Sequence, residues 1–236
     1  MISIITATKN AIDDISNLAN SLLNQTSKDF VWIVIDSKST DGTYEYLSKI
    51  EGINIIIKSE EDFGIYDALN RGVKFSKTDS YLVLGADDKL NCNAVEYING
   101  VIAKENFDVL SCTLSINGKN FKKKRSYLWF NGHKAVVTEH AVSTVFKKDL
   151  HEKFGYYSNK YPIAADMHFI LKAYLGNAKF IYHDQELGEY GVNGVSSTRH
   201  LDVICQQANV MIELGFNKNI QLTLLLLRII KYIIRH

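Results

Sequence analysis

The chain has 236 residues, long enough for one large α/β domain with a well-buried core. Its 27 Lys and Arg against 26 Asp and Glu leave a net charge of +1, which gives no reason to expect a nucleic-acid partner. Its three cysteines, Cys92, Cys112 and Cys205, fall in no disulfide or zinc spacing and fit a reducing, cytoplasmic compartment.

The opening MISIITATKN has no basic leader and no cleavage site, so secretion is not expected, and a strand is predicted over Ile2 to Thr6. Ile12, Ile15, Leu18, Leu22 and Leu23 then recur at helical spacing. FVWIVI, Phe30 to Ile35, is the continuous apolar run of a buried central strand. The polar loop DSKSTDGT, with turn chemistry at Asp41-Gly42, leads into a short helix through Leu47. A third strand is predicted over Ile53 to Ile57. A helix follows over Ile65 to Phe75, with Ile65, Ala68, Leu69 and Val73 as its apolar face. The strand Tyr81 to Leu84 runs straight into Gly85-Ala86-Asp87-Asp88.

This β-α-β-α-β-α-β order predicts an α/β fold: a Rossmann-like, mostly parallel sheet flanked by helices, with ligands beyond the carboxyl ends of the strands. Asp36 and the pair Asp87-Asp88 fall there. Paired carboxylates suit Mg²⁺ or Mn²⁺ bridging to a diphosphate. The alternative is an N-terminal cap for a helix over residues 93 to 104.

Beyond residue 105 a strand is expected over Asp108 to Ile116, with a hairpin turn at Asn117-Gly118. Lys122, Lys123, Lys124 and Arg125 read as a solvated edge strand in preference to a phosphate patch. Ala164 to Leu175 reads as a helix, with strand and loop returning from His183. Residues 218 to 236 form an apolar helix pattern with Arg228, Lys231 and Arg235 on one face. Its apolar run is shorter than the ~20 residues that span a bilayer and suits a membrane surface, or else packing on the domain or a dimer partner.

Taken together, IITATKN, VIDSKSTDGT, SEEDFGIYDALNRGV and LVLGADD stand in the order and spacing of family 2 glycosyltransferases. From about residue 2 to about residue 200 the chain resembles the bacterial members that build O-antigen, capsule or colanic-acid-like polysaccharides. The resemblance implies a GT-A domain over 1–205, with a nucleotide-sugar half (1–104) and an acceptor half (105–205); residues 206–236 read, from their own pattern, as a helical, membrane-associating tail. The resemblance also implies inverting transfer of a hexose or N-acetylhexosamine from a nucleotide-diphosphate sugar, UDP-linked, to a lipid-linked or oligosaccharide acceptor. That transfer would need Mg²⁺ or Mn²⁺ and would occur at the cytoplasmic membrane surface.

Carried over position by position, Thr6 and Thr8 contact base and ribose, and Asp36 accepts a hydrogen bond from the base. Asp62, Gly64 and Asn70 line the nucleotide pocket, Asp88 is the metal ligand, and Asp87 contacts sugar or ribose. Asp166, in FGYYSNKYPIAADMHFILKAYLGN, falls on the catalytic-base position; it also opens a helix, where a carboxylate suits the macrodipole. Asp36 capping the turn Ser37 to Thr40, and Asn70-Arg71-Gly72 ending a helix turn, remain the alternatives. His140 lies near the family's histidine at the acceptor edge, with its spacing to Phe146 shifted by about one residue; a structural histidine is the other reading. Tyr190 to Ser197 resembles the family's Gly-Gly-Val-Ser loop, with Asn193 where glycine is usual. A sugar-phosphate nucleotidyltransferase needs a glycine-rich basic loop after the first strand, which TATKNAID lacks. A dehydrogenase is disfavoured by the absence of GxGxxG. A non-catalytic sugar-nucleotide binder or membrane-surface scaffold is the remaining rival.

Overall fold

The structure is a computed structural model that describes residues 1–124, 126–192 and 199–235. Its first half runs β1 (Ile2–Thr8), α1 (Ile12–Leu23), β2 (Phe30–Asp36), α2 (Thr43–Leu47), β3 (Asn54–Ser59), α3 (Ile65–Phe75), β4 (Ser80–Val83), β5 (Lys89–Leu90) and α4 (Ala94–Lys104). The second half contains β6 (Val109–Ile116), β7 (Lys119–Phe121), α5 (Leu128–Asn131), a 3₁₀ turn (Gly132–Ala135), β8 (Thr144–Lys147), α6 (Leu150–Phe154), α7 (Ala165–Leu175) and β9 (Phe180–Glu189). Two helices follow, α8 (His200–Glu213) and α9 (Lys218–Arg235).

The described strands make one mixed sheet in the order β3-β2-β1-β4-β8-β6-β9-β5, with β7 paired to β6. The pairs among β1 to β4 are parallel, as is β6 with β9, whereas β8 runs antiparallel between β4 and β6. In β2, Phe30, Trp32 and Val34 point into one core while Ile33 and Ile35 point into the other, as a strand covered on both faces requires. The first core takes Ile15, Leu18 and Leu22 of α1 with Val95 and Ile98 of α4; the second takes Leu69 and Val73 of α3 with Phe169 and Ile170 of α7. α3 lies so close to β1 that a Cβ on Gly72 would fall 2.4 Å from Ile5 Cγ2.

Element boundaries differ from the sequence expectation where pairing outlasts the apolar run. β1 continues to Thr8 and β2 to Asp36 because Ala7 and Thr8 still pair with Ile35 and Asp36. β3 reaches Ser59, opposite Asp36. The Asn117-Gly118 turn is present, both residues having left-handed φ of 49° and 72°. Lys122 to Lys124 follow the edge strand β7 instead of forming it; Lys122 pairs with Asp184 at 3.7 Å and Lys123 lies over the Tyr182 ring. Arg125 and the loop residues Asn193 to Ser197 lie outside the described residues. The boundary expected at 205/206 falls inside α8.

α9 turns Gln221 and Arg228 inward. Gln221 Nε2 donates to the Trp129 carbonyl at 2.9 Å and Arg228 Nη2 to the Phe130 carbonyl at 2.5 Å. Those carbonyls belong to α5, a single turn whose C-terminal acceptors have no helical partners of their own. Leu222, Leu226, Leu227, Ile230, Ile233 and Ile234 consequently face outward. Among the described residues no helix is long and apolar enough to cross a membrane.

Candidate active site

The carboxyl ends of β1 and β4 open into a cavity of about 390 Å³ whose walls include Thr8, Asp87, Asp88, Glu139, His140 and Asp166. A second cavity of about 300 Å³, lined by His133, Lys134, Met167, Val203 and Gln207, shares Glu139, Ile163, Asp166, Tyr190 and Gly191 with the first. The two spaces therefore meet at a pair of carboxylates.

The loop after β1 is held in place by DSKSTDGT. Asn10 N–H donates to Ser39 Oγ, Ala11 N–H to Thr43 Oγ1, and Ile12 N–H to Asp41 Oδ2, at 2.8, 3.0 and 3.0 Å. α1 has no capping side chain of its own, so Thr43 and Asp41 satisfy its first amides from another loop. The Thr43 hydroxyl and the amides of Ile12 and Thr43 hold the Asp41 carboxyl below its usual range against a smaller opposing effect of desolvation. STDGT acts here by fixing Lys9 to Ala11 on the cavity wall.

Asp88 is buried; its Oδ2 accepts from Gly85 N–H at 2.6 Å and its Oδ1 from Gly191 N–H at 2.7 Å. Burial pushes its carboxyl up to about 7, against the pull of those two amides. β5 separates Asp88 from α4, whose N-cap is Asn93, and the Asp88 oxygens accept from Gly85 and Gly191, so the helix-cap alternative does not apply to it. Asp87 is half-buried beside Gly191, where a Cβ would fall 2.2 Å from the Asp87 carboxyl carbon. Among the described residues no group of three or more His, Cys, Asp or Glu side chains forms a metal cage. Asp87 and Asp88 offer hard oxygen donors, a set that suits Mg²⁺ or Mn²⁺ when phosphate oxygens and water complete the coordination.

Asp166 stands in the first turn of α7, its Oδ1 accepting from Met167 N–H at 2.7 Å. Tyr66 packs beside it and donates its hydroxyl to the Ile163 carbonyl at 2.9 Å. Glu139, absent from the sequence reading, is paired with Lys134 Nζ at 2.9 Å and His133 Nε2 at 3.5 Å. Burial raises the Glu139 carboxyl, but His133 and Lys134 together outweigh it and hold the group well below the usual carboxylate range.

Thr8 has a buried hydroxyl with no partner and lines the first cavity, which makes it a waiting contact for a ligand. Thr6, Asp36, Asp62, Gly64 and Asn70 lie outside that wall. Thr6 Oγ1 accepts from Trp32 Nε1 in the core. Asp36 is fully buried and accepts from Ser39 N–H, Ser39 Oγ and Ser59 Oγ, the bonds expected of a turn-capping carboxylate. Asp62 accepts from Gly64 N–H, and Gly64, at φ 113°, makes the left-handed entry to α3. Asn70 bonds both ways with the Tyr157 backbone at 2.9 Å, tying α3 to the segment ahead of Asp166.

Behind the cavity a buried chain links His140, Tyr157, Tyr81 and His151. Burial lowers His151 from 6.5 to about 4. Between those pH values the unfolded chain binds the proton and the native one does not, so stability is intact above 6.5 and falls as the pH drops toward 4. The gap corresponds to about 3 kcal/mol. Asp88, pushed up to about 7, contributes the opposite slope over the same range, so urea unfolding at stepped pH should be compared between the native protein and His151→Gln, with the native protein losing stability relative to the variant as the pH drops from 6.5 toward 4.

A family model for Glycosyl transferase family 2 matches residues 3–175. The PGL/p-HBAD biosynthesis glycosyltransferase of Mycobacterium tuberculosis is 28% identical over 183 residues, which cover 74% of this chain and 70% of that protein. S. aureus TarS 1-349 in complex with UDP-GlcNAc superposes with a TM-score of 0.72 at 19% identity, over 95% of this chain and 70% of that one. The mannosyltransferase PcManGT from Pyrobaculum calidifontis, in complex with GDP-Man and Mn²⁺, gives 0.69 at 18% identity, over 90% and 63%. Both likenesses are of fold, and they identify the mixed sheet and its helices as the GT-A architecture.

Proposed function

The chain belongs to glycosyl transferase family 2, and from that premise we propose that it moves a hexose or N-acetylhexosamine from a UDP-linked sugar to a lipid-linked glycan, with inversion. The observation that carries this reading is the meeting of two cavities at Asp166, one lined by Asp87 and Asp88 and the other by neither. A single displacement needs that arrangement: donor on one side, acceptor on the other, and a carboxylate where they touch.

In this mechanism Asp166 takes the proton of the acceptor hydroxyl. The oxygen attacks the anomeric carbon, and the electron pair of the breaking bond leaves with the diphosphate on the opposite face. Glu139 is the poorer base because Lys134 and His133 favour its ionised form, so its affinity for a proton is low. Thr8 and the backbone of Lys9 to Ala11 contact the nucleotide, while Asp87 and Asp88 would hold Mg²⁺ or Mn²⁺, which offsets charge on the diphosphate. UDP-GlcNAc in TarS and Mn²⁺ in PcManGT support these choices of donor and ion. Incubation with a panel of nucleotide sugars, a polyprenyl-linked glycan and Mn²⁺ should consume a UDP-sugar and give product of opposite anomeric configuration by NMR. A retained configuration would rule out the single displacement, and binding without turnover would make the chain a sugar-nucleotide binder.

The lipid-linked acceptor is supported by the outward apolar face of α9. From Gly215 to the end of the sequence there is no Asp or Glu, and Lys218, Arg228, Lys231 and Arg235 supply positive charge. Exposed Tyr127, Trp129 and Phe130 extend the apolar surface beside the helix. An apolar face in a cationic, acid-free segment suits an anionic lipid surface better than a second copy of itself, which would bring like charges together. The protein should float with anionic vesicles, and the double change Leu226→Glu with Ile230→Glu should abolish flotation while leaving transfer to a water-soluble acceptor intact. Flotation unaffected by those changes, or concentration-dependent dimers that they dissolve, would assign the face elsewhere.

A further inference from the structure

The far end of the buried chain behind the cavity determines which nitrogen of His140 carries its proton. His140 Nε2 lies 2.8 Å from Tyr157 Oη, Tyr157 Oη 2.8 Å from Tyr81 Oη, and Tyr81 Oη 2.7 Å from His151 Nε2. His151 Nδ1 lies 3.2 Å from the Gly155 carbonyl. All four rings are buried. A carbonyl only accepts, so His151 donates from Nδ1. Burial keeps His151 neutral at pH 7, which leaves its Nε2 bare and able only to accept from Tyr81. Tyr81 has then used its one proton and accepts from Tyr157; Tyr157 in turn has used its own and accepts from His140 Nε2–H.

Burial also disfavours the His140 cation, despite the opposing pull of Asp166 and Glu139, so Nδ1 is left as a bare acceptor. Nδ1 bonds to none of the described residues and is not one of the buried polar atoms lacking a partner. His140 lines the cavity of Asp87 and Asp88 and not the neighbouring one, so Nδ1 opens toward the donor side. We propose that His140 holds the transferred sugar by accepting a hydrogen bond from one of its hydroxyls at Nδ1, with Tyr157, Tyr81 and His151 as positioning residues that fix the tautomer. This rests on the glycosyl-donor reading of the cavity. A fixed acceptor selects sugars that carry a hydroxyl at that point and discriminates against the corresponding deoxy sugar.

Long-range ¹H–¹⁵N spectra of the histidine-labelled protein at pH 7, assigned by single His variants, read the tautomers without any turnover. The expected result is a bare Nδ1 with protonated Nε2 at His140, and the reverse at His151. UDP-sugar should shift the His140 Nδ1 signal and UDP alone should not. His140→Gln keeps an N–H directed at Tyr157 and removes the acceptor, whereas His140→Asn keeps an acceptor near Nδ1 and loses the Tyr157 bond. Donor kcat/KM should fall about tenfold in the Gln variant and stay closer to native in the Asn variant. Tyr157→Phe should leave the cavity lined but mix the His140 tautomers. A protonated Nδ1 at His140, or the reverse order of the two variants, overturns the proposal. If UDP-sugar is consumed while Nδ1 does not move, the sugar contact alone falls. If no nucleotide sugar is consumed and none moves Nδ1, the donor reading falls with it and only the tautomer assignment stands.

Discussion

Asp166→Asn is expected to lower kcat by about 10²–10⁴-fold while leaving nucleotide-sugar binding and the unfolding temperature near native. The structural role open to Asp166 is the bond from Met167 N–H to its Oδ1, and an asparagine carbonyl accepts the same bond. What the substitution removes is the capacity to take a proton where the two cavities meet. Glu139→Gln tests the rival carboxylate and should behave in the opposite manner. It leaves Lys134 and His133 without their anion; because Lys134 is 44% exposed, the main effect is a stability loss of about 1 kcal/mol, with activity per folded molecule much less affected. Single-turnover rates paired with thermal unfolding separate the two results. A kcat for Asp166→Asn within a few-fold of native in a folded protein would remove it as the base.

Gly191→Ala should be nearly as damaging, although the change adds one methyl group. The new Cβ would fall 2.2 Å from Asp87 Cγ and Oδ2 and 2.7 Å from Asp87 Cβ, so no rotation of the carboxylate alone relieves the clash. Either Asp87 leaves its place or the end of β9 backs away, and the second response draws the Gly191 N–H from Asp88. Misplacing a substrate-positioning group by about 1 Å costs roughly 100-fold in kcat/KM. Titration with Mn²⁺ and UDP-sugar should show weakened donor binding, and near-native binding and turnover would show that the acidic loop does not depend on this contact.

The first half of the fold was legible because its strands are covered on both faces and spell themselves as β-branched runs, and because α3 has a clear apolar stripe; its expected span, Ile65 to Phe75, is the one observed. β8 escaped notice since four residues, TVFK, carry no usable period, yet it sits between β4 and β6 and joins the halves of the sheet. At the site, the acidic pair and Asp166 could be read from motif order. The Glu139 pairing could not, because its partners His133 and Lys134 stand in a 3₁₀ segment with no apolar rhythm, and an irregular turn brings them back to the carboxylate. The histidine chain joins residues 70 and 76 positions apart, a proximity that no local pattern encodes. For α9 the pattern gave the stripe of cations but not the inward turn of Arg228, which depends on a carbonyl at the end of α5.

The strand order also sets a timetable for synthesis. β4 pairs with β8, β5 pairs with β9, and Asp88 receives its second amide from a residue 103 positions later. A nascent chain that has emerged through α4 therefore presents an open flank of β4 and an acidic loop still lacking half its hydrogen bonds. Contacts of such long sequence separation form late, and an unpaired strand edge in the meantime favours association with other chains. The first half of the chain thus emerges before its acidic loop is complete, and that loop gains its last amide only when the Gly188 to Gly191 segment arrives.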